Sequence, residues 1–120
     1  MNELIRKLAQ TVDSESPRDE RAAAAAEIVR SARGYRWVGI HDVGDDDITL
    51  IGEAGSRAVE EAIRTQATIG TASTIVPILG AESAIVIGTL EAQSDRADAL
   101  ERDDVAFLEE CASVLRPLYD

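Results

Sequence analysis

One cysteine, one histidine and one tryptophan make up the chain's supply of thiol, imidazole and indole. Cys111 cannot form an intrachain disulfide or a cysteine metal cluster, because either needs further thiols. Thiol-based redox catalysis needs a nucleophilic thiolate and a second thiol to resolve the product. Cys111 follows Leu108 by three residues and precedes Leu115 by four, on the apolar stripe of a helix. A free cysteine in such a place behaves as a small hydrophobe. His41 has no Ser or Cys marked out beside it, so it forms no nucleophile–base pair. A metal would need more ligands, for which Glu91 is the one candidate on a neighbouring strand. His41 is therefore read as a satisfied or partly exposed strand histidine. No catalytic residue, no metal and no cofactor is assigned.

Two alternating runs remain. In Trp37-Val38-Gly39-Ile40-His41 the odd positions share one face of a strand. Gly39 removes a side chain between two rings, which would leave room for a ligand; the competing reading is that Trp37 simply packs under a helix. In Thr89-Leu90-Glu91-Ala92-Gln93 a hydroxyl, a carboxylate and an amide share one face. A small polar or cationic molecule could be held by such groups, though Gln93 could equally be a solvated strand end. Asp45-Asp46-Asp47 lacks the wider spacing and distal Glu of a calcium loop and reads as a solvated turn. Gly70-Thr71-Ala72 is no phosphate loop, since no Gly-Lys-Ser/Thr follows.

The elements that must position these residues are legible from periodicity. Leu4, Ile5, Leu8, Ala9 and Val12 form the stripe of a helix over 3–12. Ser16 is placed to cap a second helix, with Pro17 at its first position and Gly34 after its last residue, Arg33. The run Ala22–Ala26 gives that helix a small face that can lie close to a sheet, with Ile28 and Val29 filling gaps. Arg36–Val43 and Ile48–Ile51 read as a hairpin across Gly44–Asp47, ended by Gly52 and Gly55. A helix is expected over 56–66, and 67–73 is open between loop and edge strand. Thr74–Leu79 and Ala84–Gln93 form a second hairpin, whose Pro77 points to an edge strand or a bulge. Leu100 and Val105 are spaced as a hydrophobic staple around a last helix beginning at Glu101, with its end limited by Pro117. Two hairpins imply a mainly antiparallel sheet, with the terminal helices on one face.

The chain has 120 residues, 45% of them hydrophobic and 3% aromatic. That fits one folded domain with a core of small and branched side chains. Its formal net charge of −11 would repel phosphate backbones and anionic membrane surfaces. Nucleic acid and membrane are therefore excluded as expected partners. Neither a basic, apolar leader nor a run of about 20 apolar residues is present, and with a single cysteine the expected location is the cytoplasm.

Two blocks carry a family resemblance. One is Gly34-Tyr35-Arg36-Trp37-Val38-Gly39-Ile40-His41 with its acidic hairpin. The other runs from Ile75-Val76-Pro77-Ile78-Leu79 through Ile87–Ser94 to the helix containing Asp104-Val105-Ala106-Phe107-Leu108. Together they resemble a GAF domain over 18–116, and are most similar to the single-domain branch that includes free methionine-R-sulfoxide reductase. The resemblance implies an α/β, GAF/PAS-like (α+β) domain over 18–120, preceded by an N-terminal helix and connection over 1–17. It places Thr89, Glu91 and Gln93 on the face of Trp37 and His41, the five ligand-binding candidates. It also implies a homodimer paired through the terminal helices, which would cover the stripe of helix 3–12. The chain departs from the reductase pattern. Gly52–Ser73 contains no cysteine, Glu91 keeps one acid of the family's strand-end pair while Gln93 replaces the other, and Ser73 or Thr74 stands where a further acid precedes the Pro-containing strand. The expectation is a regulatory or small-molecule-binding domain without catalysis of its own, its ligand unidentified. The alternatives are a divergent free methionine-R-sulfoxide reductase and an interaction or dimerisation module with a collapsed pocket.

Overall fold

The computed structural model describes residues 3–56, 72–80, 85–94 and 102–119. Two helices, α1 (Glu3–Val12) and α2 (Arg18–Arg33), precede four strands, β1 (Trp37–Val43), β2 (Ile48–Gly55), β3 (Ala72–Leu79) and β4 (Val86–Ser94). Helix α3 (Arg102–Ser113) and a 3-10 turn, Arg116–Tyr119, follow. The helix expected over 56–66 lies outside the described residues except for Ser56.

The strands form one antiparallel sheet in the order β2-β1-β4-β3. Strands β1 and β4 are thus its centre. Pro77 lies on an edge strand, the place in a sheet where proline is tolerated. A hydrogen bond from the Gly44 N–H to the Asp47 carbonyl, at 2.8 Å, closes the first hairpin.

Among the described residues, α2 and α3 pack on one face of this sheet, and α1 lies against α2. Val38 and Ile40 of β1 stand opposite Ala92 and Leu90 of β4, and these opposite Thr74 and Val76 of β3. On that face they join Leu8, Val12, Ala22, Ala25, Ala26, Val29, Leu108, Cys111, Ala112, Leu115 and Leu118 in one buried cluster. The alanines of α2 recur at helical spacing, so the helix comes close to β2. A Cβ on Gly52 would lie 2.5 Å from the backbone carbon of Ala22. That contact explains why β2 does not stop at Gly52, as the sequence suggested, but runs on to Gly55: Gly52 is a packing glycine inside the strand.

Two further expectations are corrected. Ser16 does not cap α2. Pro17 occupies the cap position with no side-chain cap bond, while Arg21 reaches back to the carbonyls of Ser16 and Val12 at 2.8 and 2.6 Å. The junction of α1 and α2 is held by that guanidinium. Helix α1 also needs no second copy to cover it. Leu8 and Val12 are fully buried in their own chain's core, with Leu4 and Ile5 packed against it, so the uncovered stripe that motivated a homodimer is not there. Gly34 does close α2 in the left-handed conformation, at φ 66°. Beyond it, the Tyr35 hydroxyl donates to Asp104 Oδ1 at 2.7 Å and Arg33 pairs with the same oxygen at 3.2 Å, tying the end of α2 to the start of α3.

Candidate functional site

The face of the sheet away from the helices carries the side chains that the sequence marked out. Antiparallel register sets them in rows, because directly opposed residues share a face. Trp37 stands opposite Gln93, Gly39 opposite Glu91, and His41 opposite Thr89. The five candidates Trp37, His41, Thr89, Glu91 and Gln93 are therefore brought onto one surface of the two central strands. The outer strands extend each row: Ser73 lies beyond Gln93, Ile75 beyond Glu91 and Pro77 beyond Thr89. Trp37 is fully buried and Gln93 is 8% exposed, while His41, Thr89 and Glu91 are half-buried. The surface thus grades from a buried polar end at Trp37 and Gln93 to a more open end at Ile75, which is 58% exposed.

The space above Gly39 differs from the sequence reading. A Cβ at Gly39 would lie 2.2 Å from Cη2 of Trp37 and 2.4 Å from its Cζ2. The indole therefore lies over Gly39, and the glycine makes room for the tryptophan rather than for a ligand between two rings. The Trp37 and His41 rings stand 6.4 Å apart between centroids, inclined at 58°.

One residue of this face was missed. Glu53 lies opposite Gly39 on β2, across from Glu91, and the Trp37 Nε1–H donates to its Oε1 at 2.8 Å. Simple alternation would put Glu53 with Ile51 and away from Leu50. The register slips between Ile40 and His41, so that Gly52 opposes Ile40 while Leu50 opposes His41. Ile51 is the extra residue of this bulge, and Glu53 moves onto the Trp37 face. The reading that ended β2 at Gly52 left no reason to look there.

Cys111 lies behind the sheet, fully buried in the helix-side cluster. Burial pushes its thiol up to about 12, far from thiolate at neutral pH. His41 is also tied from behind: its carbonyl accepts the Tyr119 hydroxyl at 2.6 Å. Among the described residues no group of three or more His, Cys, Asp and Glu side chains is placed to hold a metal ion. Shallow grooves bounded by described residues lie elsewhere. One of about 300 Å3 runs between β3 and α3 past Pro77, Glu109 and Arg116. Another, of about 290 Å3, lies between α1 and α2 past Leu4, Lys7 and Ile28.

An antiparallel sheet in the order β2-β1-β4-β3 with helices on one face has many counterparts of known structure. The free methionine-R-sulfoxide reductase from Neisseria meningitidis, solved with its substrate, matches 98% of this chain and 86% of its own, at 21% identity and a TM-score of 0.71. The GAF domain of an Acinetobacter phosphoenolpyruvate-protein phosphotransferase matches 99% of this chain and 95% of its own, at 13% identity and a TM-score of 0.71. The type II free methionine-R-sulfoxide reductase from Thermoplasma acidophilum matches 97% and 94%, at 16% identity and a TM-score of 0.62. The fold is that of a GAF domain. No family model matches the sequence and no curated protein does, so the likeness of this GAF-like domain to its neighbours is one of fold. No described helix is long and apolar enough to cross a membrane.

Proposed function

We propose that this GAF-like domain binds a small molecule on the Trp37 face of its sheet, in a regulatory role and without catalysis of its own. The observation that carries the reading is the co-facial set Trp37, His41, Thr89, Glu91 and Gln93, graded from buried to open. A half-buried carboxylate, hydroxyl and imidazole beside a buried indole and amide give a few orienting polar groups on an apolar floor, as small-molecule sites do. Binding there would act on the terminal helices through β1 and β4, whose other face they cover.

Two neighbours in fold are free methionine-R-sulfoxide reductases, which keeps a divergent reductase as the second reading. The position of Cys111 weighs against it. A thiol behind the sheet is separated from the Trp37 face by a layer of backbone, with layers spaced on the order of 10 Å, whereas attack requires reacting atoms about 3 Å apart. Self-association is a separate proposal: a homodimer through the terminal helices would have to use the α1–α2 groove at Leu4, Lys7 and Ile28. Sedimentation at micromolar concentration decides between monomer and dimer.

Binding is tested by Trp37 emission, which reports one site because the chain has one tryptophan. Titration with free amino acids, methionine-R-sulfoxide among them, and with small organic cations should give a saturable change that Glu91→Ala abolishes. A change that persists undiminished in Glu91→Ala would remove the carboxylate from the site. No response from any probe, in a folded protein, would favour the interaction module.

A further inference from the structure

We propose that Glu53 is a positioning residue of this face: it holds the Trp37 indole over Gly39 and occupies its N–H, so that the indole closes the buried end of the face and offers a ligand no donor. The inference rests on the Trp37 face being the binding face, and it names how that face discriminates. Trp37 is fully buried, and a buried indole N–H must find an acceptor. The acceptor is Glu53 Oε1 at 2.8 Å. A bond from a neutral donor to an ionised carboxylate is among the stronger hydrogen bonds, and here it spans two adjacent strands. The second restraint is steric. With Gly39 beneath the ring and a Cβ there only 2.2 Å from Cη2, the indole settles onto the backbone of its own strand. Backbone below and a carboxylate at its nitrogen restrain the ring from two sides.

The consequence for recognition is chemical. A tryptophan with its N–H turned to a ligand selects an acceptor oxygen. With that N–H bonded to Glu53 and the ring fully buried, selection on this face falls instead to the half-buried Thr89 and Glu91. The carboxylate of Glu53 lies in the row of Gly39 and Glu91. It therefore adds negative charge on the side of the indole remote from Glu91.

The test uses the full chain without ligand. Its single indole gives a single side-chain N–H resonance, so assignment is immediate. In the native protein that resonance should lie downfield, as a donor to a carboxylate, and exchange slowly with water. Glu53→Gln retains an acceptor oxygen and should keep most of both properties. Glu53→Ala should move the resonance upfield and speed its exchange by about tenfold or more, the factor a hydrogen bond to a charged group provides. The backbone spectrum shows that each variant is folded. An indole resonance and exchange rate unchanged in Glu53→Ala would overturn the assignment, while Glu91, Gln93 and Thr89 would still stand as ligand contacts. Failure of every probe to bind would instead strike the binding reading and leave the resonance test of Glu53 intact.

Discussion

Ile75 and Ile78 are the same residue type on the same edge strand, three positions apart, yet the sheet treats them oppositely. Ile78 is 1% exposed in the cluster beneath the helices, and Ile75 is 58% exposed on the Trp37 face. The contrast holds across the whole sheet. The helix face is closed by apolar side chains of α1, α2 and α3. The other face carries an indole, an imidazole, two carboxylates, an amide and a hydroxyl on the three strands β2, β1 and β4. A fold whose main apolar cluster lies on one face can carry polar side chains on the other, since they do not enter that cluster.

Substitutions that separate the two faces should therefore differ in kind. The largest stability effect is expected on the helix face, where Ile78→Ala should cost about 2–5 kcal/mol in chemical denaturation. Gly39→Ala comes next. It thrusts a methyl group into the indole and should cost about 1–3 kcal/mol, together with a change in Trp37 emission that no helix-face variant shows. A smaller effect depends on pH. Burial raises the Cys111 thiol from 9.0 to about 12, so the folded state holds a proton that the unfolded state releases. Its contribution is complete below about pH 9 and is lost as pH rises from there toward 12. At pH 10 the loss should approach 1.4 kcal/mol, and Cys111→Ala should flatten the pH profile. The smallest effect is expected for Ile75→Ala, within about 0.5 kcal/mol. A large cost there would show that the Trp37 face is also a core.

Much of this contrast was legible in the sequence. Alternation in Trp37–His41 and Thr89–Gln93 separated the two faces before any register was known, and Pro77 marked the sheet edge. The run Ala22–Ala26 with Ile28 and Val29 marked a face able to approach a sheet, and the structure buries Ala22, Ala25, Ala26 and Val29 of it. What escaped was set by contacts between distant segments. Gly52 reads as a strand end until α2 is laid against it, and Gly39 reads as ligand space until the indole of Trp37 is placed. Glu53 depends on a bulge, and a bulge changes parity without leaving a mark in the residues that form it. The fate of α1 was misread for a similar reason. Its stripe shows that cover is needed, and only the packing against α2 shows that the cover is in the same chain.

The separation of the thiol from the Trp37 face is the claim on which the proposed non-catalytic account depends, and a turnover assay tests it directly. Free methionine-R-sulfoxide is supplied with a dithiol reductant, and methionine release is followed for the native chain and for Cys111→Ser. With Cys111 buried behind the sheet and its thiol held protonated, neither protein should release methionine above the reductant-only rate. Turnover by the native chain that disappears in Cys111→Ser would contradict the account, since it would require the thiol to reach a substrate across the sheet.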